Sequence, residues 1–138
     1  MKISRSAKLP LEMLWDYREF KRDETPSPLI PFIHDHTTDE ITEYVSVHGI
    51  DPVELSIIQG QALLTDGNHR IVAAKRLGHT TIPVRVTLFL SDGTETFYDH
   101  TLSKFKKLSE ALESEITKLF GQTAVHCASV SSVESAED

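Results

Sequence analysis

Ala62-Leu63-Leu64-Thr65-Asp66-Gly67-Asn68-His69-Arg70-Ile71-Val72-Ala73-Ala74-Lys75-Arg76-Leu77-Gly78 changes its hydrophobic period in the middle, and that change decides the fold. Residues 62–65 form a short apolar run with the character of a strand. From Asn68 onward Ile71, Val72, Ala74 and Leu77 recur at helical spacing until Gly78, a favoured terminator. A strand must therefore turn into a helix within about three residues, around Asp66-Gly67. Gly67 has no Cβ, so it permits a sharp reversal and lets a ligand approach the backbone. The first N–H groups of the following helix lack intrahelical acceptors and carry the positive end of its dipole, which suits a phosphate. Arg70 can add a forked, charge-assisted contact to that phosphate. His69 can donate to the same anion or take part in proton transfer. Asp66 can hold a metal ion bound to phosphates, or orient Arg70. The same residues also describe a plain capped helix, with Asp66 paired to Arg70 and Asn68 as the cap, and the motif by itself leaves both open.

Working outward, residues 53–58 alternate apolar and polar like a strand, and Gln59-Gly60-Gln61 joins it tightly to the run at 62–65. Upstream, Thr37 or Thr38 can cap a helix running to His48 and closing at Gly49. Downstream, the β-branched stretch 81–90 reads as a strand, turned by Ser91-Asp92-Gly93 into a second strand at 94–98. Leu102, Phe105, Leu108, Leu112, Ile116 and Leu119 predict a long helix over 103–120, whose stripe is either core or a face for a partner helix. Near the N-terminus, Leu9, Leu11, Leu14, Trp15 and Phe20 can line a short helix preceded by Pro10. Pro26, Pro28 and Pro31 mark a loop. The expected class is α/β (α+β): a single compact domain over 1–128 with a small mixed sheet, helices packed on it and a long C-terminal helix. A disordered Ser-rich acidic tail over 129–138 follows.

The 138 residues suit one hydrophobic core. No run approaches the roughly 18 apolar residues of a spanning helix, and Glu12 and Asp16 interrupt the only apolar stretch near the N-terminus. Cys127 is the only cysteine, so no internal disulfide forms and a reduced cytoplasmic setting is expected. The net charge of −7 argues against a general nucleic-acid coat. Its distribution is uneven: residues 1–22 carry six basic and three acidic side chains, 35–54 carry six acids and no base, and 66–86 carry Arg70, Lys75, Arg76 and Arg85 against Asp66. A cationic patch on an acidic body suits a small anion better than a long polyanion.

Four pieces occur in order: Gly49-Ile50-Asp51-Pro52-Val53, Asp66-Gly67-Asn68-His69-Arg70, Ala73-Ala74-Lys75-Arg76-Leu77-Gly78 and Ile82-Pro83-Val84-Arg85-Val86. Together, over residues 38–88, they resemble the N-terminal domain of ParB proteins and their sulfiredoxin-like relatives. The resemblance implies a nucleotide-binding fold with phosphates at Thr65, Gly67, Asn68, His69 and Arg70. Sulfiredoxins have a cysteine between the Gly and the His; Asn68 stands there in this chain, which argues against sulfinic-acid reduction. Partition ParB proteins continue into a helix-turn-helix and a dimerisation domain; these 138 residues would be too few for both, so a full chromosome-segregation clamp is not expected. Asp66 to Arg70 is closer to the Asp-Gly-His-His-Arg of the free serine kinases. Those enzymes take a catalytic glutamate from an upstream Leu-x-Pro-x-Glu-like segment, loosely matched by Leu9-Pro10-Leu11-Glu12.

Two expectations of different class follow. One is a phosphotransferase or NTPase using ATP, ADP or CTP with Mg²⁺, with Asp66 on the metal and Glu12, Asp66 and His69 catalytic. The other is a nucleotide-responsive or DNA-associated binding module acting through DNA or a protein partner at residues 103–120. His34-Asp35-His36 supplies too few ligands for a protein-only metal site, and no Ser-His-Asp ordering supports a hydrolase triad. Lys104, Lys106 and Lys107, alternating with Glu110, Glu113 and Glu115, predict a salt-bridged outer helix face. Trp15 and Tyr17 beside Arg18, Lys21 and Arg22 make a weak pattern for single-stranded nucleic acid.

Overall fold

The computed structural model describes residues 2–19, 31–89 and 97–121. At its centre lies the hairpin expected from the sequence: β2 (Val53–Ile58) and β3 (Gln61–Asp66) run antiparallel, joined by Gln59 and Gly60. Both turn residues have positive φ, 51° and 77°, as a two-residue turn matched to strand twist requires. The chain then forms α3 (Asn68–Arg76), crosses the sheet and returns as β4 (Thr81–Phe89), parallel to β2 on the side away from β3. The end of α3 satisfies its carbonyls in a Schellman arrangement: Gly78 N–H donates to Lys75 O and His79 N–H to Ala74 O.

The sheet has five strands in the order β1-β4-β2-β3-β5. Its outer member β1 (Lys2–Pro10), antiparallel to β4, is a strand that the sequence pattern does not announce. Pro10 then caps α1 (Leu11–Leu14), and a 3₁₀ turn covers Trp15–Tyr17, so the short helix after Pro10 is present but ends early. Helix α2 (Pro31–His48) starts before the expected Thr37 or Thr38 cap. Proline fits a helix start because its missing N–H has no intrahelical role there. Of the loop expected over 23–31, residues 23–30 lie outside the described residues and Pro31 belongs to α2 instead; the tail at 129–138 also lies outside them. So do residues 94–96 of the expected second strand; its Tyr98 immediately precedes α4 (Asp99–Leu102).

The long C-terminal helix needs correction. Residues 103–120 divide into a turn, a two-residue strand β5 (Lys106–Lys107) paired to β3, and α5 (Glu110–Phe120). Ser109 starts α5 by accepting from Leu112 N–H at 3.2 Å, and Leu108 N–H is already committed to Gly60 O. Lys104 pairs with Glu19, and Lys106 and Lys107 lie on β5, so the expected alternation of lysines and glutamates along one helix does not form.

One face of the sheet carries the main core: Val53, Leu55 and Ile57 of β2, Ala62 and Leu64 of β3, and Ile82, Val84, Val86 and Leu88 of β4. These pack with Leu11, Leu14 and Tyr17, Ile71 and Ala74 of α3, and Leu112 and Ile116 of α5. The apolar stripe of α5 is thus core. On the other face Ile58, Leu63, Phe89 and Phe105 form a smaller cluster. Among the described residues no helix is long and apolar enough to cross a membrane.

Tyr17 ties the two ends of the described chain together. Its hydroxyl donates to Lys107 O and accepts from Ser109 N–H, both at 2.9 Å. Tyr17→Phe leaves both backbone groups without that partner, and a loss of about 1–2 kcal/mol is expected. Urea unfolding measures it as a lower midpoint with unchanged slope; a midpoint equal to wild type would show that water replaces the hydroxyl.

Candidate functional site

The turn between β3 and α3 is built by two irregularities. A register shift sits between Glu54 and Leu55: Leu55 pairs with Leu64, whereas Glu54 pairs with Asp66, leaving Thr65 as an extra residue on β3. Gly67 follows with φ 93° and ψ 21° and serves as the N-cap residue of α3, its carbonyl accepting from Ile71 N–H at 2.9 Å. The positive φ is the sharp reversal expected of this glycine, and the packing adds a second reason. A Cβ at this position would lie 2.5 Å from Val53 Cγ1 and 3.0 Å from Val53 Cα, so the missing side chain also makes room for β2.

Thr65, Asp66, Gly67, Asn68, His69 and Arg70 line a single open cavity of about 250 Å³, closed on one side by Ile41 of α2. The N–H groups of Asn68, His69 and Arg70 have no acceptor within α3. Arg70 is pre-positioned: Nη1 donates to Pro52 O at 2.6 Å, and Nη2 stands 3.8 Å from Asp66 Oδ2. The Asp66–Arg70 ion pair of the plain capped-helix account therefore exists. Asp66 is 66% exposed, so the pair contributes at most a few tenths of a kcal/mol. His69 Nδ1 lies 2.8 Å from the hydroxyl of buried Thr38, which orients the ring from α2. Neither Ile41 nor Thr38 could be assigned to the site from sequence, because only the packing of α2 on α3 brings them there.

Three expectations change. The Asn68 side chain does not cap α3 and is engaged within the fold: Nδ2 donates to Leu64 O at 3.1 Å, and Oδ1 accepts from Glu19 N–H at 2.7 Å. Glu12 is not brought to the loop. It pairs with Lys75 near the other end of α3, at 3.3 Å, and lines a separate groove with Asp16, Tyr17, Lys106 and Lys107. The cationic patch also shrinks. Lys75 faces Glu12 and the Trp15 ring, Arg76 pairs with Asp39 at 2.8 Å, and Arg85 stands exposed on β4. Of the four cations, Arg70 alone lines the cavity.

Trp15 and Arg18, part of the weak nucleic-acid pattern, are used within the fold. The Arg18 guanidinium stacks 3.6 Å from the Trp15 ring centroid, and its Nε donates to Trp15 O. His34 and His36 fall within α2. Among the described residues no group of three or more His, Cys, Asp or Glu side chains could hold a metal ion.

No family model matches the sequence, and no curated protein matches it. Two solved structures are similar in fold. Sulfiredoxin from Arabidopsis thaliana is 20% identical, with a TM-score of 0.47 over 71% of this chain and 97% of that one. A Pnob8-like ParB-N domain is 16% identical, with a TM-score of 0.46 over 99% of this chain, which spans about half (52%) of that one.

Gly67→Ala combines the left-handed backbone with the overlap at Val53. A loss of at least about 2 kcal/mol is expected, read from denaturant unfolding. A loss below about 1 kcal/mol would mean that β2 yields easily and that the turn is not held by this contact.

Proposed function

We propose that the chain binds a nucleoside di- or triphosphate with Mg²⁺ and transfers or hydrolyses its terminal phosphoryl group. The observation that carries this reading is the shared cavity at the start of α3. Residues 65–70 line a space of about 250 Å³ there, with the Arg70 fork fixed by Pro52 O and the His69 ring held by Thr38. That volume suits a di- or triphosphate group, with the base and sugar outside it. The order of the four motif pieces along residues 38–88 supports the same reading. Asp66, weakly paired and exposed, suits a Mg²⁺ ion already carried by phosphates, since Mg²⁺ commonly takes one or two carboxylates together with phosphate oxygens. Catalysis would come from positioning and from neutralising the charge that develops on the phosphoryl oxygens. In this reading the loop contributes Thr65, Asp66, Gly67, His69 and Arg70 together with the Asn68 N–H, and Glu12 has no part.

The test is a thermal-shift panel of ATP, ADP, CTP and GTP with Mg²⁺ on wild type and Arg70→Ala. A ligand that binds only the native state raises the midpoint by mass action, by an amount equivalent to about 2.7 kcal/mol at a hundred times its Kd. Stabilisation by one nucleotide, lost in Arg70→Ala, is the expected outcome. No shift at millimolar nucleotide would end the proposal, and retention without consumption would favour the nucleotide-responsive binding module.

A further inference from the structure

With the apolar stripe of α5 packed in the core, the helix that turns an uncovered face outward is α2. Glu40, Glu43, Tyr44, Val47 and His48 stand three and four positions apart on one side of it and line a shallow groove of about 350 Å³. Among the described residues, every side chain that lines this groove belongs to α2. The opposite side of the helix, with Thr38 and Val45 buried, packs against α3.

The outward face has an apolar part and an acidic part. Tyr44 is 54% exposed and Val47 72%, and the two are neighbours on the helix surface. Single exposed apolar side chains are ordinary; a neighbouring pair with the tyrosine held in place is less so. The Tyr44 ring stacks on His48 with centroids 4.5 Å apart, so this anchor is ordered before any partner arrives. The acidic part is Glu40 and Glu43, three positions apart, where like charges repel. No Lys or Arg occurs between residues 35 and 54 to offset them. Arg76, which α3 brings to α2, pairs with Asp39, and none of the ion pairs among the described residues uses Glu43.

We propose that the outward face of α2 docks a short segment of a partner protein, rich in lysine or arginine and carrying one apolar side chain. Its cations meet Glu40, Glu43 and the open face of the Tyr44 ring, and its apolar side chain lies on Val47. The acids make the face repel a polyanion. A second copy of the chain is the poorer occupant. Residues 40–48 make a face about 12 Å long on a helix about 10 Å across, far short of the roughly 800 Å² per partner that a stable pairing of folded surfaces buries. A short segment needs no such area, because a few anchored side chains carry most of the energy of such contacts. This inference stands apart from the nucleotide reading and does not depend on it.

The experiment titrates the full chain into a fluorescent lysine-rich peptide with one central leucine and follows anisotropy at about 0.15 M salt. Two control peptides replace the lysines by glutamate or the leucine by serine. Tyr44→Ala and the double variant Glu40→Lys/Glu43→Lys should each weaken binding about tenfold or more. The double variant Glu110→Lys/Glu113→Lys on α5, which changes the net charge equally, should bind within about threefold of wild type. Urea unfolding checks that each variant keeps the fold, as exposed positions allow. Equal weakening by the α2 and α5 double variants would mean diffuse attraction to an acidic protein and overturns the proposal. So does binding of either control peptide as tight as that of the lysine–leucine peptide, or no binding up to about 1 mM. Self-association in sedimentation that Tyr44→Ala abolishes, without peptide binding, would assign the face to a second copy instead.

Discussion

Gly67 lies so close to Val53 that no side chain fits between them, and its positive φ sets the direction in which α3 leaves the sheet. This contact couples the two halves of the fold. On one side is β2, the strand flanked by both β3 and β4, whose Val53, Leu55 and Ile57 are buried in the main core. On the other is the helix whose Ile71 and Ala74 cover that core. Moving the turn by one residue would rotate α3 by about 100° and take both side chains off the sheet. The same turn sets the first N–H groups of α3 and places Arg70 where Pro52 O can receive it. The geometry of the cavity is therefore a consequence of core packing, and rigidity at the site follows from rigidity in the core.

A second set of contacts docks the N-terminal segment against this unit. Asn68 joins Leu64 O to Glu19 N–H, Arg18 stacks on Trp15, and Lys75 approaches the same ring at 4.0 Å while pairing with Glu12. These interactions use side chains that a sequence reading assigns to ligands. Asn68 and Glu12 are both polar, near the motif and chemically suitable, yet each has a nearer partner inside the protein. A polar side chain beside a folded backbone group forms that bond with little further loss of freedom, whereas a ligand must first arrive.

The legible part of the fold was the part whose signals are local. The change of period at Asp66-Gly67, the turn at Gln59-Gly60 and the stop at Gly78 each lie within a few residues of the element they define, and all three stand where expected. What stayed hidden depends on distant pairing. In β1 the core-face positions include Arg5, whose guanidinium lies 5.7 Å from the Phe120 ring centroid, so the alternation is broken by a side chain that covers apolar surface with its stem. Phe105 and Leu108 fit a helical stripe with Leu112 and Ile116, yet Phe105 serves one face of the sheet and the other three serve the opposite face. Spacing alone cannot separate one face from two. At the site, the loop residues were legible as a group because they are contiguous. Ile41 and Thr38 were not, because only the packing of α2 on α3 brings them there.

The Asp66–Arg70 pair bears on how the proposed ligand would enter. An exposed pair at 3.8 Å holds little energy, so an arriving phosphate can take the Arg70 fork from Asp66 at small cost. The Pro52 bond is shorter and binds Arg70 to the start of β2, and it need not break for the remaining N–H groups to meet an anion. Arg70 is thus ordered before binding, which lowers the entropy lost when it closes on a ligand. Release of Asp66 in the same step frees a carboxylate beside the phosphates, where a nucleotide's Mg²⁺ would stand. On that account the site should favour the Mg²⁺ complex of a nucleotide over the bare nucleotide or the bare metal.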